Sequence, residues 1–92
     1  MLEIKFTSKF KRDLKKAKKQ GKDLSKLHEA LDLLAACRPL PEKMHDHLLV
    51  GNYGGHRECH IEPDWLLIYL VKEEELVLTA VRTGSHVDLF SM

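Results

Sequence analysis

Five of the six histidines, His45, His47, His56, His60 and His86, fall after residue 44 of a 92-residue chain. Imidazole has an unperturbed pKa of about 6.5, so it can give or take a proton near neutral pH. Two imidazoles facing one another can act as base and acid in a proton-transfer reaction. His60 stands in "RECHIEPDWLLIY", with Asp64 just past the turn that follows it, and Arg82 and His86 bracket the turn "TGS". A competing chemistry is zinc ligation by His45, His47, His56, Cys59 and His60, which are of suitable type. Adjacent residues of a strand point to opposite faces, however, so Cys59 and His60 cannot converge. The chain has no CxxC or HExxH spacing. No metal site is expected. The plain readings are that His28, His45 and His56 are surface side chains, Trp65 is core, Arg82 pairs with a carboxylate, and Phe90 packs the end of the chain onto the sheet.

The elements that must position these groups follow from periodicity. "LEIKFT" (2–7) alternates apolar and polar residues, which predicts a strand. Thr7 or Ser8 can cap a following helix, whose apolar stripe is Phe10, Leu14 and Ala17 and whose natural stop is Gly21. Asp23 or Ser25 opens a second helix with a stronger core face, Leu24, Leu27, Leu31 and Leu34, and Pro39 and Pro41 prevent its continuation. Two helices joined by a short turn should form an antiparallel hairpin. "HRECHIE" (56–62) alternates, with His56, Glu58, His60 and Glu62 on one side and Arg57, Cys59 and Ile61 on the other. Glu62-Pro63-Asp64 makes a tight turn into Trp65–Val71, an unbroken apolar run and so a central strand. "KEEE" turns the chain into a strand over 76–82, and "HVDLF" is a short last segment. The order is β-α-α-β-β-β, with room for one further short strand. This is an α+β fold, a small antiparallel sheet with an N-terminal helical hairpin on one face. Short turns between antiparallel strands can then gather His60, Asp64, Arg82 and His86 at one side of the sheet, with His47 closing the cleft.

Length suits one domain, residues 1–92. The longest apolar run is far below the roughly 20 residues that span a bilayer, and the N-terminus does not read as a signal peptide, so no membrane association is expected. The two cysteines, Cys37 and Cys59, form no disulfide framework, and a reduced, cytoplasmic protein is the expectation. Residues 1–46 carry 12 Lys and Arg against 7 Asp and Glu, and the remainder 3 against 7, giving the net +1. The positive charge is concentrated in "KFKRDLKKAKKQGK" (9–22). That run predicts either a basic face for a polyanionic partner or simply a solvated lysine-rich helix.

"DHLL", "RECHIEPDWLLIY" and "RTGSHVDLF" closely resemble the YafQ branch of the RelE/ParE toxin superfamily, and the resemblance extends over essentially the whole chain. It implies a RelE-like fold and a toxin of a bacterial type II toxin–antitoxin system. Toxins of this branch are ribosome-dependent endoribonucleases (mRNA interferases) that cut mRNA in the A site of the small ribosomal subunit and so inhibit translation. The implied partners are the ribosome, mRNA and a cognate antitoxin. The antitoxin is a DNA-binding repressor, and operator DNA is engaged only through it. Carried over by motif, the catalytic set is His47, His60, Asp64, Arg82 and His86, with Trp65 and Phe90 binding substrate. "GNYGGHRE" departs from the family pattern by one glycine. The alternative class is a non-catalytic ParE-like toxin or binding module that acts by sequestering a partner.

The implied reaction suits these residue types. RNA carries its own nucleophile, the ribose 2′-hydroxyl. Metal-free cleavage then needs a base, an acid for the 5′-oxygen leaving group, and a cation beside the phosphorane. Histidines fill the first two roles and Arg82 the third; Asp64 orients or charge-stabilises a histidine. Trp65 and Phe90 would stack on or buttress an unstacked base. Lys11, Lys15, Lys18 and Lys19 would grip ribosomal RNA phosphates without reading sequence. No cofactor is required.

Overall fold

The computed structural model describes residues 1–90. Strand β1 (Glu3–Phe6) leads into helix α1 (Ser8–Lys19), then helix α2 (Leu24–Ala35). Strands β2 (His47–Leu48), β3 (Arg57–Glu62), β4 (Trp65–Lys72) and β5 (Val77–Gly84) follow, and helix α3 (His86–Phe90) comes last. The α+β architecture is the one expected. The five strands lie in the order β1-β5-β4-β3-β2. Three pairings are antiparallel, and β1 runs parallel to β5, so the sheet is mixed.

Helix boundaries follow from their caps. Thr7 Oγ1 accepts the Phe10 amide at 3.0 Å and opens α1, and Asp23 accepts the Ser25 amide at 3.0 Å and opens α2. Hydrogen bonding from Ser25, side chain first and then backbone, holds the Asp23 carboxyl below its ordinary range. Gly21, at φ +77°, ends α1: its amide bonds the Lys18 carbonyl and the Lys22 amide bonds that of Ala17. Both are the orphan carbonyls that a left-handed residue satisfies at a helix end. Cys37 does the same for α2 at φ 58°.

The unbroken apolar run of β4 has a direct cause. Trp65, Leu67 and Tyr69 face the helical hairpin and pack with Phe10, Ala17, Leu27, Leu31 and Leu34. Leu66 and Ile68 face the other way and pack with Leu89, and with Leu49, Tyr53, Val81 and Phe90 at its margin. Both faces of the central strand are therefore covered. Cys59 belongs to the helix-side core, where burial pushes its thiol up to about 12 and removes it from nucleophilic chemistry.

The short last segment is a helix. Ser85 Oγ accepts the Asp88 amide at 3.1 Å and the Ser85 amide reaches back to the Asp88 carboxylate at 3.4 Å. This is a reciprocal N-terminal cap of the S-x-x-D type. Gly84 allows the fold-back, since a Cβ there would come within 3.2 Å of Asp88 Cβ. Lys16 then ties α3 to α1 through Asp88 at 2.8 Å, and this bond, ahead of the Ser85 contacts, holds the Asp88 carboxyl below its usual range.

Candidate active site

The face of the sheet opposite the hairpin carries a row of histidines. Cross-strand register puts His47 of β2 opposite Glu58 of β3, and His60 two residues along on the same face. The His47 and His60 rings are 6.3 Å apart between centroids, and the His60 and His86 rings 5.8 Å. The three histidines expected at the site thus meet in one line, from the sheet edge to the start of α3. His45 is exposed, as read from the sequence, and its ring also lies 5.5 Å from that of His60. His56 stands on Tyr53 instead.

Two rings have their tautomers fixed by acceptors. His47 Nδ1 lies 2.6 Å from the His45 carbonyl oxygen, which can only accept, so Nδ1 carries the hydrogen and Nε2 is left for chemistry. His86 Nδ1 lies 2.7 Å from Asp64 Oδ1, and the His86 backbone amide donates to the same oxygen at 3.0 Å. The His86 amide first, and then its ring, hold the Asp64 carboxyl below the ordinary range. The two-residue turn Pro63-Asp64, with Glu62 paired to Trp65, puts Asp64 where α3 begins.

Glu58 is a member of the site that the sequence does not single out. Its side chain is only 5% exposed, and one oxygen, Oε1, lies 3.4 Å from His47 Nε2 and 3.5 Å from His60 Nε2. It can accept from either ring when that nitrogen is protonated. Alternation puts it on the same face as His60, but without β2 there is nothing to bury it or to set a second histidine beside it.

Arg82 and Trp65 require a narrower reading than the sequence suggests. Arg82 pairs across the sheet with Ile68, but its guanidinium is held by Asp13 of α1 through Nε at 2.7 Å and Nη2 at 3.0 Å. Asp13 first, with the Tyr53 hydroxyl contributing, raises the Arg82 pKa further. The cation is thus preset and partly neutralised. Trp65 is fully buried and donates its indole N–H to Thr83 Oγ1 at 2.9 Å. It has no face for a base to stack on; buttressing is the role its position supports. Phe90 is half-buried and meets Tyr53 edge-to-face at 6.0 Å. Lys11, Lys15, Lys18 and Lys19 are exposed on α1, away from its buried Phe10 and Ala17.

The sequence family described as a bacterial toxin of type II toxin–antitoxin systems, YafQ, matches residues 2–91. The mRNA interferase toxin YafQ of Escherichia coli K12 is 39% identical over 89 residues, covering 96% of this chain and 95% of that protein. A crystal structure of a metal-bound toxin from Helicobacter pylori superposes with a TM-score of 0.93 at 46% identity, covering 98% of this chain and 100% of that one. The toxin chain in the E. coli DinJ–YafQ toxin–antitoxin complex matches with a TM-score of 0.87 at 39% identity, covering 97% of each chain.

Proposed function

Because this chain belongs to the YafQ family of type II toxin–antitoxin toxins, we propose that it is an mRNA interferase, a ribosome-dependent endoribonuclease that cuts mRNA in the ribosomal A site. The observation that carries this reading is the histidine row. The His60 ring lies 6.3 Å from that of His47 and 5.8 Å from that of His86, and two of the three rings present a tautomer fixed by an acceptor.

The reaction begins with removal of the ribose 2′-hydroxyl proton by one imidazole. The oxygen attacks the adjacent phosphorus, and a second imidazole protonates the departing 5′-oxygen. The products are a 2′,3′-cyclic phosphate, or the 3′-phosphate after its hydrolysis, and a 5′-hydroxyl. Asp64 holds the His86 ring and balances its charge when it takes a proton. Arg82 supports the charge on the phosphorane. The lysines of α1 grip ribosomal RNA phosphates. Phe90 supplies an aromatic surface for a base.

Two matching Helicobacter pylori toxin structures are described as metal-bound and copper-bound. Among the described residues here, no three His, Cys, Asp or Glu side chains converge as a metal cage, and every step above uses the chain's own side chains. The remaining partners follow the family reading: a cognate antitoxin that is itself a DNA-binding repressor, as DinJ partners YafQ in the E. coli complex, with operator DNA reached through it. The proposed compartment is the cytoplasm; no helix among the described residues is long and apolar enough to cross a membrane.

Primer extension on a reporter mRNA, with and without ribosomes, tests the proposal. Ribosome-dependent cuts are expected. Growth inhibition with intact message would point to the non-catalytic, partner-sequestering class instead.

A further inference from the structure

Beside the histidine row lies a recess of about 480 Å³ that the mechanism above does not use. Its volume falls within the range of roughly 300–1,000 Å³ typical of small-molecule sites. Met44, Ile61 and Pro63 supply apolar walls, and the rings of His45 and His60 supply flat ones. Lys26 and Lys43 stand at its margin, Lys26 shared with Glu62 at 2.9 Å.

Two features of the fold make this recess. Strand β2 pairs only with Arg57 and Glu58, so beyond them β3 has no strand on that side and its edge is open. The short 3₁₀ turn Glu42–Met44 covers part of the opening and ends at His45, which takes φ 46°. Side-chain-bearing residues seldom adopt this left-handed conformation. Here it accompanies a ring set edge-on to His60 at 5.5 Å.

We propose that this recess receives the base of a nucleotide flanking the scissile phosphate. The inference rests on the ribonuclease reading and deepens it. His60 is shared between the recess and the reacting row, so an RNA chain engaged at His60 passes the mouth of the recess. On one side are Phe90 and Tyr53; on the other is the recess. An unstacked base has two apolar faces and a polar rim. The apolar and imidazole walls suit its faces, the open strand edge offers backbone groups to its rim, and Lys43 at the margin suits the adjoining phosphate.

The test uses two substitutions that fill the recess from the exposed and the half-buried side, Lys43→Trp and Met44→Trp. The probe is a dinucleotide lacking the attacking 2′-hydroxyl, which binds but cannot be cut. Titrated into the folded wild-type protein, it should shift the NMR signals of the Met44 and Ile61 side chains and the His45 ring, and each variant should lose the shifts at Ile61 and His45. On ribosomes, the variants should cut at least roughly tenfold more slowly, or lose base preference at one position, because base stacking is worth about that much or more. Thermal melts show which variant remains folded, and Lys43, being exposed, puts no core packing at risk. Two results would overturn the proposal: shifts confined to Phe90 and Tyr53, or a folded Lys43→Trp variant with wild-type rate and codon preference. Failure of the wild type itself to cut on ribosomes would instead overturn the ribonuclease reading, while the binding titration still decides whether the recess takes a base.

Discussion

At the scale of single residues, the proposed mechanism turns on which nitrogen of each ring is free. His86 is fixed by one carboxylate and lies at the start of a short helix, where its ring supports little packing. We predict that His86→Ala abolishes toxicity in growth assays while the protein stays folded; killing by a stably expressed variant would remove His86 from the mechanism. His47→Ala and His60→Ala should each slow cleavage by roughly 10²–10⁴-fold, the usual worth of a general acid or base. The Asp64 contact also has a pH signature. Its carboxyl is lowered relative to the unfolded chain, so its contribution is present above the unfolded value of about 3.9 and is lost as pH falls through the lower folded value. The amide resonance of His86 should therefore show a transition on acidification below the ordinary carboxylate range, and Asp64→Asn should abolish that transition; a carboxylate midpoint at or above the ordinary value would contradict the contact. That His47, His60, Asp64 and His86 would come together was legible because the motifs that carry the resemblance survive without coordinates. Glu58 and His45 were not. The burial of Glu58 and the turn at His45 depend on a two-residue strand and a 3₁₀ turn too short to leave a periodic signal.

At the scale of elements, α1 serves two ends. One side buries Phe10 and Ala17; Asp13, at its margin, closes an exposed strand edge. Strand β1 pairs with β5 only from Val77 to Ala80. Beyond that, Thr7 Oγ1 donates to the Val81 carbonyl at 2.6 Å, and Asp13 accepts the Thr83 amide at 3.1 Å as well as the Arg82 guanidinium. An open row of ladder groups is thereby paired. We predict that Asp13→Asn loosens Arg82, lowering cleavage and costing stability by about 1–3 kcal/mol, the usual worth of hydrogen bonds to a charged group, at the lower end because the pair is partly solvated. Unchanged melting and unchanged cleavage would show that Arg82 keeps its place without the clamp. The exposed lysines should behave differently. Replacing Lys11, Lys15, Lys18 and Lys19 with Gln should weaken ribosome binding and flatten its log–log salt dependence by about 0.7–0.9 for each phosphate no longer neutralised. Unchanged affinity at moderate salt would leave them as a solvated face. Both helices of the hairpin were legible from caps and apolar spacing. The Asp13–Arg82 pair joins residues from opposite ends of the chain, which no local pattern encodes. The cap that makes α3 a helix was present as Ser85-x-x-Asp88, but five residues are too few for helical periodicity to show.

At the scale of the whole molecule, the sheet separates two tasks. Its hairpin side is core; its other side holds the histidine row against a smaller apolar cluster. The unbroken apolar stretch of β4 revealed that both faces would be covered, and alternation in β3 revealed which residues shared the open side. The placement of β1 could not be read, since β1 is amphipathic whichever edge it joins; it lies parallel to β5, with Glu3 opposite Val77. That pairing carries a consequence for the order of synthesis. The first strand to be made has no partner in the sheet until one of the last has been made, because β5 lies between β1 and β4. Folding of the N-terminal part can begin early, but the sheet cannot close until β5 has cleared the exit tunnel. Stalled nascent chains that expose β4 but not β5 should accordingly be digested by protease far faster than chains stalled beyond α3; equal resistance would mean that the rest folds without the closing strand. With β5 still hidden, Arg82 has not met Asp13 and His86 has not reached Asp64. The proposed active site is therefore completed only as the sheet closes.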